Sequence, residues 1–84
     1  MNKQVSFKAN TETLKQMSEF YKNKKRVNLN PSIYFVADED EAVVTAYTNG
    51  RVRFQGKRAD IFFESWFEIN NHNSDINKNN VFGY

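Results

Sequence analysis

Cationic and amide side chains alternate along one short segment of the sequence. Arg51, Arg53 and Gln55 occupy every second position, and Thr48 precedes them by three residues. In a β-strand, every second side chain lies on the same face, so these three would form a row. Arginine neutralises phosphates, while amides and hydroxyls contact sugars and base edges. The pattern is typical of a nucleic-acid surface and at least as much of a plain solvated sheet face, and contact with a protein is a third alternative.

Other candidate sites are weaker. The acidic run 38–41 supplies oxygen ligands that suit Mg²⁺ or Ca²⁺, but it lacks the glycine and the spacing of a calcium loop. His72 is the one histidine and has no neighbour that would orient it as a general base. Cysteine is absent, which excludes a disulfide framework and thiolate chemistry. The sequence therefore predicts no catalytic residue, no metal site and no cofactor within this chain.

Length and composition indicate a small binding module. The chain has 84 residues, enough for one domain, and a net charge of +2 permits a polyanionic partner without requiring one. Phe, Tyr and Trp make up 15% of the residues, enough large side chains for a core. No stretch approaches the ~20 apolar residues of a membrane span. The first residues lack the apolar block of a signal peptide, so we expect a cytoplasmic location.

Local periodicity predicts the order β-α-β-β-β-α. The dipeptide Asn49-Gly50 indicates a hairpin with a two-residue type I′ turn. Two helices can cover only one face of a four-stranded antiparallel sheet, so we expect an α+β domain whose other sheet face is open. The predicted strands are residues 3–9, 32–37, 42–48 and 51–55, and the predicted helices are residues 11–23 and 58–69.

The two-residue turn also predicts which side chains share a face. It would pair Thr48 with Arg51 and would fix the register of the hairpin. The core face would then hold Val5, Phe7, Ile33, Phe35, Val43, Thr45, Tyr47, Val52 and Phe54. The open face would hold Ser6, Lys8, Tyr34, Val36, Val44, Ala46, Thr48, Arg51, Arg53 and Gln55.

The last residues differ from the rest. Six of the eleven residues 70–80 are asparagine, and no apolar period is visible there. An apolar cluster, residues 81–84, then ends the sequence. We predict a compact domain over residues 1–69 and an asparagine-rich linker over 70–84, leading toward a further domain. The alternative is a tail whose last residues dock back on the domain.

The hairpin segment resembles a known family. Residues 45–57 read T-A-Y-T-N-G-R-V-R-F-Q-G-K, and Trp66 follows nine residues later. The N-terminal domain of bacterial ribonuclease HIII carries a similar stretch, T-A-Y-x-S/N-G-K/R-V-x-F-Q-G-K, before a helix that reaches a tryptophan. The resemblance covers roughly residues 3–68. Arg53 departs from the family, in which an apolar residue is frequent, and so does the acidic run 38–41.

The resemblance implies a TATA-binding-protein-like fold that helps to hold an RNA/DNA hybrid. A ribonuclease H-type catalytic domain would follow in cis and would cleave the RNA strand with Mg²⁺ or Mn²⁺. This chain alone would bind hybrid or another duplex without activity. The expected contacts are Arg51, Arg53 and Lys8 with phosphates, Gln55 and Thr48 with sugars and groove edges, and Tyr34 with a ribose. The alternative is a protein-interaction domain that docks on a catalytic partner.

Overall fold

Five strands and two helices form the domain. A computed structural model describes the backbone of residues 3–83 and the side chains of residues 3–73. The elements are β1 (Lys3–Lys8), α1 (Thr11–Phe20), β2 (Lys25–Arg26), β3 (Ile33–Glu39), β4 (Ala42–Tyr47), β5 (Arg51–Gly56) and α2 (Ala59–Gly83). The strands form one antiparallel sheet in the order β1-β5-β4-β3-β2. The predicted α+β class is confirmed, but the sheet has one strand more than predicted.

The additional strand comes from the basic cluster after α1. That helix begins as predicted, because the Asn10 side chain accepts a hydrogen bond from the Thr13 backbone N–H and caps it. It ends at Phe20, three residues earlier than predicted. A turn then brings Lys25 opposite Ala37 at the edge of the sheet. Only two residues pair there, which is why no alternating pattern marked this strand in the sequence.

The hairpin between β4 and β5 has a different loop from the predicted one. Its turn is closed by a hydrogen bond from Gly50 N to Tyr47 O, and φ is positive at Gly50 but not at Asn49. The loop therefore has three residues, 48–50, with glycine in the left-handed region. Ala46 consequently lies opposite Val52, and Thr45 lies opposite Arg53. The predicted pairing of Thr48 with Arg51 is wrong by one residue.

This shift exchanges the two faces of β4, because a one-residue slip moves every side chain of a strand across the sheet. In β3, Ile33 was predicted in the core, but it lies opposite Tyr47 at an irregularity of the strand and is not part of the core cluster of the described residues. Val44 and Ala46 are fully buried against the helices, whereas the sequence placed them on the open face. Val43, Thr45 and Tyr47 lie on the open face, whereas the sequence placed them in the core. The faces of β1 and β5 are as predicted, with Phe7, Val52 and Phe54 in the core.

Aromatic rings fill the space between the sheet and the helices. Tyr21 and Trp66 are buried, and the Trp66 indole N–H donates a hydrogen bond to the Tyr21 hydroxyl at 2.9 Å. Burial raises the pKa of Tyr21 above its ordinary value; the bond from Trp66 lowers it by less, and the charge of Glu39 raises it further. The hydroxyl is therefore a neutral part of the core.

Helix α2 extends beyond the predicted end at residue 69. It continues to Gly83, so residues 70–83 are helical and do not form an irregular segment. Asn70 and Asn73 are buried, and their side chains bond to the end of β1 and to the start of α1. The apolar cluster 81–84 lies outside the residues whose side chains are described. A role for this segment as a link to another domain stays a prediction.

Candidate nucleic-acid interface

Within residues 3–83, one face of the sheet carries no helix, and its side chains form cross-strand rows. In the central row, Arg53 lies between Ser6 and Thr45, and the row continues to Val36 and Arg26. A second row places Gln55 between Gln4 and Val43. Lys8 lies opposite Arg51 at the end where β1 stops. We call this surface the open face; it brings Arg51, Arg53, Gln55 and Lys8 together, as the sequence predicted for these strands.

The two arginines are held differently. The Arg53 guanidinium carbon lies 5.9 Å from the centre of the Tyr47 ring, and this contact positions the charge over the aromatic face. Its Nε is buried and has no hydrogen-bond partner among the described residues. Arg51 is exposed, and its Nη1 donates to the Ser6 hydroxyl at 3.3 Å. Arg53 is therefore fixed by packing, whereas Arg51 reaches into solvent from the rim.

Tyr34 and Thr48 occupy a different place from these cations. Tyr34 lies at an irregularity in β3, where the pairing shifts between Ile33 and Phe35. Thr48 belongs to the hairpin loop, and its hydroxyl donates to the backbone oxygen of Ser32. Together with Tyr47, both residues line a cleft beside α1. The structure therefore separates these two predicted site residues from Arg53 and Gln55, and Tyr47 borders both places.

Three cations where β1 and β5 lie side by side on the open face lack carboxylate partners among the described residues, and this distinguishes them from most other cations, Arg26 of the same face included. Within residues 3–73, Lys8, Arg51 and Arg53 form no ion pair. The ion pairs elsewhere are Lys3–Asp60, Lys22–Glu19, Lys24–Glu39, Arg26–Asp38, Lys57–Glu41 and Arg58–Asp40. Positive charge without compensation is thus concentrated where β1 and β5 lie side by side. Such a surface attracts a polyanion.

The acidic run 38–41 is dispersed over several ion pairs. Asp38 lies on the open face, and its pKa is held below the ordinary value by a hydrogen bond from the Arg26 guanidinium, with a smaller contribution from its charge. Glu39, Asp40 and Glu41 pair with three other cations. Among the side chains described, no group of three histidines or carboxylates is placed to hold a metal. This end of the face is therefore the less favourable one for a phosphate.

Two shallow depressions adjoin Arg53. One, of about 680 Å³, extends toward Arg26, Gln55 and Lys57. The other, of about 320 Å³, is lined by Gln4, Ser6, Tyr47, Asn49, Arg51 and Arg53. The second depression combines both unpaired arginines with hydroxyl and amide groups. It is suited to a phosphate and the sugar next to it.

Sequence reasoning missed Tyr47 as a surface residue. Apolar side chains alternate on both faces of β4, so the strand itself gives no sign of which set is buried. The one available signal was Arg53, because a cation on the neighbouring strand is frequently stacked on an aromatic ring.

His72 lies exposed on α2, away from the open face. No helix within the described residues is long and apolar enough to cross a membrane.

Comparison with known proteins agrees with this architecture. The family described as Domain of unknown function (DUF3378) matches residues 4–79, and the chain belongs to this family. It is similar to ribonuclease HIII of Lactococcus lactis subsp. lactis, with 36% identity over 56 residues, and to that of Lactococcus lactis subsp. cremoris, with 34% identity over 56 residues. Each match covers 67% of this chain and 19% of the relative.

Solved structures show the same relationship. The crystal structure of Bst-RNase HIII in complex with Mn²⁺ is similar over 76% of this chain and 21% of that chain, with a TM-score of 0.70 and 26% identity. A glutamine-to-alanine variant of the same enzyme gives a TM-score of 0.69 and 25% identity. The resemblance to the N-terminal domain of ribonuclease HIII is thereby confirmed. The chain spans about a fifth of the length of these relatives.

Proposed function

We propose that this chain is a substrate-binding domain of a ribonuclease HIII-type enzyme and that it binds an RNA/DNA hybrid or another duplex through the open face. The proposal is carried by three cations at adjoining positions of β1 and β5 that form no ion pair within residues 3–73, namely Lys8, Arg51 and Arg53. Phosphate neutralisation provides most of the affinity in sequence-independent binding. The similarity to ribonuclease HIII supports a hybrid as the duplex.

The chemistry of the open face suits recognition by shape. The wide minor groove of an A-form duplex displays 2′-hydroxyls, which accept and donate hydrogen bonds. Gln4, Ser6 and Gln55 supply amide and hydroxyl groups beside the arginines. An open sheet backed by two helices is also the arrangement of a TATA-binding-protein-like fold, and we propose that this domain has such a fold.

Catalysis belongs elsewhere in this proposal. Cleavage of the RNA strand would be performed by a catalytic domain in cis, with Mg²⁺ or Mn²⁺ held by the carboxylates of that domain. The described residues of this chain supply duplex contacts and no reacting group. A cytoplasmic location would accompany this role.

The test is a titration of a labelled RNA/DNA hybrid at several salt concentrations. Three phosphate contacts predict a slope of log K against log salt of about −2.7, which weakens binding about 40-fold between 50 and 200 mM salt. Arg51→Ala combined with Arg53→Ala should reduce the slope to about −0.9, since each lost contact removes about 0.9. Affinity at low salt should fall in parallel.

The matched control removes two cations that already have partners. Lys3→Ala combined with Arg58→Ala changes the net charge equally, but these residues pair with Asp60 and Asp40. Its slope should stay close to that of the parent. Equal slopes for the two double variants would contradict the open-face proposal. Chemical-shift changes on the helices when a catalytic domain is added, with none on the sheet when hybrid is added, would favour the protein-interaction alternative.

A further inference from the structure

A second concave site lies beside the open face, between α1 and one end of the sheet. It has a volume of about 250 Å³, and its walls are Tyr34, Tyr47 and Thr48 on one side and Thr11, Leu14 and Lys15 of α1 on the other. Tyr34 is 49% exposed, although its ring is large and apolar. We call this site the tyrosine cleft.

The composition of the tyrosine cleft defines the ligand it would accept. Two aromatic rings and the side chain of Leu14 form apolar walls, and flat aromatic ligands stack well on such walls. Lys15 is exposed at the rim and forms no ion pair within residues 3–73. Among the residues whose side chains are described, no carboxylate lines the cleft. The ligand should therefore be a flat ring that belongs to an anionic molecule.

Tyr47 connects this cleft with the arginines of the open face. The same residue lines the tyrosine cleft and the depression that contains Arg51 and Arg53. A molecule that occupies both must carry a ring for the cleft and a negative charge for the arginines. A nucleotide within a strand has this arrangement, because its base and its phosphate are joined through one sugar. A peptide offers the two groups together only where an aromatic residue has an acidic neighbour, whereas every nucleotide of a strand has both.

We propose that the tyrosine cleft binds one unpaired base at a single-stranded extension of a duplex. The base stacks against Tyr34 while the neighbouring phosphate contacts the arginines, so the domain recognises the junction between duplex and single strand. The role of the arginines rests on the proposed function, whereas the role of Tyr34 does not. Bases within a duplex remain paired and do not enter the cleft, so a blunt duplex uses the open face alone.

The experiment compares two probes, a blunt RNA/DNA hybrid and the same hybrid with a two-nucleotide unpaired extension. Base–aromatic stacking contributes about 1–3 kcal/mol, so the extended probe should bind roughly 5- to 150-fold more tightly. Tyr34→Ala should remove this advantage, so that the two probes bind with equal affinity. Tyr34→Phe should preserve the advantage, because the ring remains. Phe20→Ala, which removes an exposed ring at the other end of α1, should also preserve it.

Equal binding of the two probes by the parent protein would overturn the proposal, and so would an advantage that survives Tyr34→Ala. The open-face proposal fails separately, when Arg51→Ala combined with Arg53→Ala leaves the affinity for the blunt probe intact. In that case, a preference for the extended probe that depends on Tyr34 would still support the cleft. Thermal unfolding of Tyr34→Ala should match that of the parent, since half of this side chain is already in solvent.

Discussion

Replacing Asn70 by alanine should destabilise the domain strongly, although the sequence marks this residue as the start of a linker. The Asn70 Oδ1 accepts a hydrogen bond from Asn10 N at 2.8 Å, and its Nδ2 donates to Lys8 O at 3.3 Å. Asn70 is 8% exposed. Its side chain thus joins α2 to the end of β1 and to the N-cap residue of α1.

The expected magnitude follows from these two bonds. Each contributes about 1–1.5 kcal/mol net, so the loss should be about 2–3 kcal/mol. A domain of 84 residues has a total stability of about 4–12 kcal/mol, so this loss is a substantial fraction. With an m-value of about 1–1.5 kcal/mol/M, the urea midpoint should fall by about 2 M.

The assay is urea unfolding followed by tryptophan fluorescence, because Trp66 is buried against Tyr21. Asn71→Ala is the matched control, since it makes the same change of helix propensity at the next, exposed position of α2. Its free energy of unfolding should lie within about 0.5 kcal/mol of the parent. If both variants unfold at the same urea concentration, the hydrogen bonds of Asn70 do not stabilise the domain and the reasoning is refuted.

Two further variants test the core and one turn. Gly56→Ala should destabilise the domain by more than ~1–3 kcal/mol, because φ is +135° at Gly56 and an added Cβ would lie 2.6 Å from Glu41 O. Chemical unfolding measures this loss of stability. The reasoning would be contradicted if Gly50→Ala, where the nearest atom is 3.1 Å from the added Cβ, cost more stability than Gly56→Ala. Tyr21→Phe tests the pH dependence of stability. The folded protein keeps the Tyr21 hydroxyl protonated above the unfolded pKa of about 10, so its free energy of unfolding should fall as pH rises from about 10. The variant has no hydroxyl at this position and should lack the contribution of Tyr21 to that fall. The variant should also be about 1–3 kcal/mol less stable at neutral pH, because the Trp66 N–H loses its acceptor. If the free energies of unfolding of parent and variant changed with pH in parallel, a raised pKa of Tyr21 would be excluded.

The hairpin shows how far sequence reasoning reaches. The dipeptide Asn49-Gly50 located the turn, and the alternation in β5 placed Arg51 and Arg53 on the open face. The loop length could not be decided in the same way, since both two- and three-residue loops accommodate this dipeptide. Either set of β4 side chains is apolar enough for the core. The choice is made by space, because Val44 and Ala46 lie within a cluster already crowded by aromatic rings.

Residues 70–73 show a second limit. Asparagine has low helix propensity and mostly lies on the surface, so an asparagine-rich segment favours a linker. Two of these asparagines are instead buried. Asn70 bonds to Lys8 of β1 and to the N-cap residue Asn10, and Asn73 bonds to Thr13 of α1, 60–62 residues earlier in the sequence. Partners at that distance leave no local pattern. For the same reason, the two-residue strand β2 was missed, since it exists only through its pairing with β3.

The sequence by itself determined the class of the fold, the position of the hairpin, which side chains of β1 and β5 face the core, and the relationship to ribonuclease HIII. These features depend on local periodicity, on one turn and on a contiguous motif. Only the tertiary structure decided that Tyr47 lies beneath Arg53 and that Tyr34 borders a cleft. It also decided which open-face cations have no carboxylate partner among the described side chains, namely Lys8, Arg51 and Arg53. Those results depend on register and on packing between distant segments, because a one-residue difference in a loop exchanges the two faces of a strand.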